Sequence, residues 1–113
     1  MTAGSKTRGK YESRLDPALW AYIDAVDAWY PPEITGLPID RQRAVYDSMS
    51  RAFHQGRPPG VKASDGLIAA SDHGIPVRRY QRAGKAAPAL VVYYHGGGFI
   101  LGGLDSHDDI CAE

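Results

Sequence analysis

Cys111 is the single cysteine in 113 residues, so no internal disulfide is available and the count fits a reducing compartment. Neither sign of charge is in excess: thirteen Lys and Arg balance thirteen Asp and Glu. The balance also holds locally, with eight basic against seven acidic residues in 1–60 and five against six in 61–113. No basic face follows from this, which argues against a nucleic-acid partner. No run approaches the ~18 apolar residues of a membrane span. The polar, basic stretch from Met1 to Lys10 has no apolar centre of the kind a secretory leader needs. The expectation is a cytoplasmic protein without a membrane span. Internal repeats and low-complexity tracts are absent as well.

The residues that are present divide into two halves of different character. Met1 to Ser13, rich in Gly, Ser, Thr and Lys, is expected to fray, so that 1–14 forms a disordered N-terminus. Asp16-Pro17 then reads as an N-cap followed by proline at the first helical position. Leu19, Ile23, Val26 and Tyr30 follow at helical spacing, which predicts an amphipathic helix ending near Trp29, where Pro31-Pro32 stop it. Pro38-Ile39-Asp40 opens a second helix through Val45, Met49, Ala52 and Phe53, and Gly56 to Gly60 reads as a linker. Beyond it, Gly66–Ala70 and Ile75–Tyr80 are short extended segments around Ser71-Asp72-His73-Gly74, which predicts an antiparallel hairpin. The apolar run Ala89 to Tyr94 has no polar alternation and reads as a strand buried on both faces.

That run delivers His95-Gly96-Gly97-Gly98-Phe99. Three consecutive glycines at a strand's end build a loop whose bare N–H groups can approach a ligand with no Cβ in the way, a shape suited to holding a developing negative charge. The pattern continues through Gly102 to His107-Asp108, giving H-G-G-G-F-x-x-G-x-x-x-x-H-D. This resembles the hormone-sensitive-lipase-like family of α/β-hydrolases, which includes many carboxylesterases, and the resemblance extends more loosely over residues 15–113. It implies an α/β fold in which 15–60 is a helical cap segment and 61–113 the N-terminal part of the hydrolase core. It implies that the N–H groups of Gly97 and Gly98 form the oxyanion hole, with His95, Gly96, Phe99, His107 and Asp108 supporting the motif. A small-molecule ester is the implied substrate. No metal or organic cofactor is implied.

The same family needs a serine on a G-x-S-x-G elbow, then an Asp or Glu, then a His. No G-x-S-x-G occurs in these residues. The expectation is therefore a partial serine hydrolase, silent alone and of marginal stability, whose sheet a second chain or a C-terminal segment would complete. The alternative is a non-catalytic ligand-binding or assembly module derived from the same fold.

Other readings of the polar residues fare worse. Gly97-x-x-x-x-Gly102 is followed by Gly103 and Leu104 where a P-loop needs Lys and Ser or Thr, and G-x-G-x-x-G fails at Leu101. His95 is expected to shape the loop through a bond to nearby backbone rather than to transfer protons. Ser106 reads as an N-cap with Asp109 three residues on, and Asp108 and Asp109 as complements to the helix dipole. His107 and Cys111 share a helix face but lack a third ligand for zinc. Cys111 is expected to be a small buried residue. Trp20, Tyr22, Ile23 and Trp29 read as core or cap packing.

Overall fold

The computed structural model describes residue 9 and residues 11–70, 72–84, 86 and 88–113. The expected fraying of 1–14 thus falls mostly outside the described residues. The chain divides into two compact units, Met1–Met49 and Ser50–Glu113.

The first unit is helical. Helix α1 spans Pro17–Asp27, and Asp16 adopts the extended φ of −60° and ψ of 142° of an N-cap. Its Oδ1 accepts the Ala18 N–H at 2.7 Å, satisfying one of the donors the first helical turn leaves free. At the other end Ala28 N–H bonds Asp24 O, and Trp29 and Tyr30 close single turns before the two prolines. Replacing Asp16 with Ala is expected to cost about 1 kcal/mol of helix stability. Far-UV circular dichroism across a thermal melt reads this as an earlier loss of helical signal.

A short 3₁₀ turn, Ile34–Gly36, leads to helix α2, Ile39–Phe53. Pro38 contributes its carbonyl to the N–H groups of Arg41 and Gln42, both at 3.0 Å, so the residue that cannot donate still starts the helix. Asp40 in the first turn and Arg51 in the last suit the helix dipole.

The second unit, which begins in the last turn of α2, is built on an antiparallel hairpin. Strand β1 spans Val61–Ala69 and β2 spans Gly74–Arg82, in a register that sets Val61 opposite Arg82, Asp65 opposite Arg78 and Ala69 opposite Gly74. Both strands run longer than the turn residues alone suggest, and Ala83 N–H extends the pairing to Gly60 O at 2.8 Å. Ser71 of the expected turn lies outside the described residues. Pro76 sits opposite Leu67 in a sheet of two strands among the described residues, where an unpaired edge tolerates a missing donor.

Two expectations are corrected here. Ala89–Tyr94 is not a buried strand: it carries no ladder hydrogen bonds and its side chains are exposed, Val91 at 86%. An apolar run states which surface needs cover, but a ladder exists only where a neighbouring strand offers donors and acceptors, and the described residues place none beside it. Nor is Ser106 the cap of the last helix. Helix α3 is the short Asp108–Ala112, with His107 at its N-cap position and no side-chain cap bond. The Ser106 hydroxyl is held instead by Gly103, whose N–H donates to it at 2.9 Å and whose carbonyl lies at 3.1 Å. Among the described residues only Ala112 and Asp108 are buried. Cys111 is half-buried, and burial first, then the charges of Asp108 and Asp109, push its thiol pKa up.

Candidate functional site

The glycine loop owes its path to backbone conformations that side chains resist. Gly97 has φ 127° and Gly98 φ 61°, and Phe99 follows in the same left-handed region at φ 62°. The Gly97 carbonyl accepts both the Ile100 N–H at 3.1 Å and the Leu101 N–H at 3.0 Å, closing the chain into a tight turn. A Cβ added at Gly97 would fall 2.0 Å from Leu101 O, so this position excludes every side chain on contact alone. At Gly98 nothing lies within 4 Å, and only the positive φ disfavours a side chain. The N–H groups of Gly97 and Gly98 donate to no described residue. Phe99, among the described residues the one with a Cβ in a left-handed conformation, points its ring into solvent.

His95 braces this loop from its N-terminal side. Its Nδ1 lies 2.6 Å from Gly96 O, and since a carbonyl only accepts, the proton sits on Nδ1. Gly102 gives the ring room, because a Cβ there would meet His95 Nδ1 at 3.0 Å. The His107 ring stacks on His95 with centroids 5.0 Å apart and planes 26° from parallel. Tyr93 approaches the same imidazole at 6.2 Å. Ser106 Oγ and His107 Nδ1 lie 2.9 Å apart, which fixes the second ring against rotation. Five of the motif residues singled out in the sequence, His95 to Phe99, are contiguous, and the fold adds His107 to them.

Asp108 faces elsewhere. Its carboxylate, only 6% exposed, gathers five donors. Oδ1 accepts from Arg57 Nη2 at 3.0 Å, Arg78 Nη1 at 2.8 Å and the Tyr80 hydroxyl at 2.8 Å. Oδ2 takes Arg57 Nε at 2.9 Å and lies 3.0 Å from His54 Nε2. Strand alternation explains the pair from β2, since residues two apart share a face of the sheet. Burial alone would raise the Asp108 carboxyl, but the hydrogen bonds from Arg57, His54, Tyr80 and Arg78 outweigh it and hold the group well below the usual carboxylate range. Burial first, then the bond to Asp108, pushes the Tyr80 phenol up to about 12. Next to Asp108, Asp109 Oδ2 accepts the Gln55 N–H at 2.9 Å, so both acidic residues bind the segment after α2.

The dipole-complement reading of Asp108 therefore missed its main partners. His54 and Arg57 lie 54 and 51 residues away and leave no local trace. Arg78 and Tyr80 were legible in principle, as polar residues two apart and so on one face of a predicted strand.

This arrangement of helices, hairpin and glycine loop matches solved structures closely. An ester hydrolase from the Lake Arreo metagenome, EH1AB1, solved with a bipyridine phosphonate derivative, superposes with TM-score 0.69 at 33% identity, over 87% of this chain and 33% of that one. A serine-to-alanine variant of LAE6, an α/β-hydrolase enzyme from the same metagenome, gives TM-score 0.70 at 32% identity, over 88% and 33%. The fold class is thus the α/β-hydrolase, of which these elements form the N-terminal part. In sequence, the carboxylic ester hydrolase LipN of Mycobacterium tuberculosis is 36% identical over 100 residues, covering 86% of this chain and 26% of LipN. The ethyl acetate hydrolase of Pseudomonas putida is 33% identical over 106 residues, covering 86% and 33%. No family model matches the chain. With its H-G-G-G-F segment, the chain is thus similar over most of its length to the N-terminal part of carboxylic ester hydrolases, consistent with the hormone-sensitive-lipase-like resemblance of its sequence. It spans about a quarter to a third of the length of the relatives it matches. No helix among the described residues is long and apolar enough to cross a membrane.

Proposed function

We propose that this chain supplies the oxyanion hole of a serine-type carboxylic ester hydrolase acting on small-molecule esters. Ester hydrolysis through a serine passes a tetrahedral intermediate whose former carbonyl oxygen is anionic. Fixed N–H donors stabilise that oxygen without having to reorganise as the charge appears. The observation that carries the reading is the pair of N–H groups at Gly97 and Gly98, which donate to none of the described residues and are held in a turn that tolerates no side chain at the first of them. Each such donor is worth roughly 10²–10³ in rate. His95 and the stacked His107 hold the loop in place, and neither ring is assigned a proton transfer.

The nucleophile, acid and base come from a further segment, in this polypeptide or a second one. The absence of G-x-S-x-G from these residues and the partial span of the relatives support that division. The exposed run Leu90 to Tyr94 supports it as well, since an apolar surface of this kind needs a neighbouring strand to cover it. A cytoplasmic setting goes with the lone cysteine.

Supplied with a p-nitrophenyl ester, the purified chain is expected to release product no faster than buffer. Joined in frame to the elbow-, acid- and base-bearing segment of an α/β-hydrolase, it is expected to turn the ester over. A product burst from the chain alone would overturn the division of labour; an inert fusion that folds would overturn the esterase reading.

A further inference from the structure

Arg78 is only 11% exposed, although its hairpin pairs with no further strand among the described residues. Its cross-strand partner is Asp65, and the two meet side on: Arg78 Nε reaches Asp65 Oδ1 at 2.6 Å and Nη2 reaches Oδ2 at 2.9 Å. That fork uses two nitrogens along one edge of the guanidinium and fixes its plane, which a lysine's point charge could not do. The remaining nitrogen, Nη1, is thereby aimed at the segment that follows the glycine loop. It lies 3.3 Å from Leu104 O, 2.9 Å from Asp105 Oδ1 and 2.8 Å from Asp108 Oδ1. One side chain thus holds three positions of 104–108, the stretch that carries His107 onto His95.

We propose that Arg78 is a positioning residue for the oxyanion loop, setting the 104–108 segment and, through the His107–His95 stack, the placement of the Gly97 and Gly98 N–H groups. This rests on the oxyanion reading of those two amides. The path is continuous in the structure. Asp65 orients Arg78; Arg78 holds Leu104 and Asp108; the backbone between them presents His107; His107 stacks on His95; and His95 Nδ1 grips Gly96 O. Asp105, 94% exposed, is a minor anchor, because an exposed ion pair is weak, whereas Asp108 is buried under five donors.

The test uses the isotope-labelled 113-residue chain and reads the amide signals of Gly97 and Gly98, the ring signals of His95 and His107, and the cross-strand contacts of the hairpin. In Arg78→Met and in Arg78→Lys the glycine amides and both ring signals are expected to move, with the hairpin contacts retained. Lysine does not rescue, because it keeps the charge and loses the fork. Asp65→Asn is expected to move the same signals in the same direction by less. Arg79→Met, one residue away on the opposite face, is expected to leave them in place. Glycine and histidine signals unmoved in both Arg78 variants would overturn the proposal. Loss of the hairpin contacts in both would overturn it too, since Arg78 would then serve folding alone. The oxyanion reading fails by a different result, sustained turnover after a side chain is placed at 97, and that result leaves these shifts unchanged.

Discussion

Gly97→Val, in the esterase completed as described above, is expected to lower kcat at least ~10²-fold, with KM changing far less. The geometry gives the reason. A Cβ at this position would lie 2.0 Å from Leu101 O and 2.8 Å from Leu101 C, both backbone atoms that cannot turn aside. Relief requires breaking the turn that Gly97 O closes with Ile100 and Leu101, and with it the aim of both N–H groups. The loss belongs in kcat because the oxyanion forms only in the transition state and the intermediate it leads to. Gly98→Ala is the informative companion. No atom stands within 4 Å of its Cβ, so the cost is the ~1–2 kcal/mol of a left-handed conformation and the kcat loss is smaller. Equal losses at the two positions, or near-normal turnover in Gly97→Val, would remove the oxyanion role.

Asp108→Asn is expected to destabilise the second unit by about 3 kcal/mol at pH 7, by leaving Arg57 and Arg78 without their shared buried counter-charge. The cost is pH-dependent with a definite sign. An unfolded Asp titrates near ~3.9, and in the fold hydrogen bonds hold this carboxyl far lower. Its contribution is therefore complete above the unfolded value and is lost as acid carries the pH down towards the folded one. Urea unfolding, followed by circular dichroism at pH 7 and again near pH 2, is expected to show a wide gap between wild type and variant that narrows in acid. A gap of the same width at both values would mean that the carboxylate's charge is not what binds the hairpin to the 104–108 segment.

Residue patterns alone made much of the first unit legible. Asp16-Pro17 and Pro38-Ile39 mark helix starts because capping and the fixed φ of proline act within one turn, so neighbours suffice to read them. The hairpin was legible for a similar reason, and once its register is set Asp65 and Arg78 stand equally far from the turn and must meet. The failures came where a local pattern named a partner that the fold does not supply or that another residue replaces. Ala89–Tyr94 has the composition of a central strand and lacks a neighbouring strand among the described residues. Ser106 has the identity of a helix cap, but Gly103 offers it both a donor and an acceptor, and the helix starts without it.

The chemistry of the site divides in the same way. The three glycines were enough to indicate a loop whose backbone takes left-handed conformations, because freedom from Cβ is a property of the residue itself. Which of the three forbids a side chain by contact, and which only by conformation, depended on where Leu101 O falls. His107 and Asp108 are neighbours in the chain with opposite duties, one stacked on the glycine loop and the other drawn under two arginines, a histidine and a tyrosine. Only the tertiary structure decided that, since a carboxylate's role follows from the donors that surround it, and here those donors come from segments up to 54 residues away.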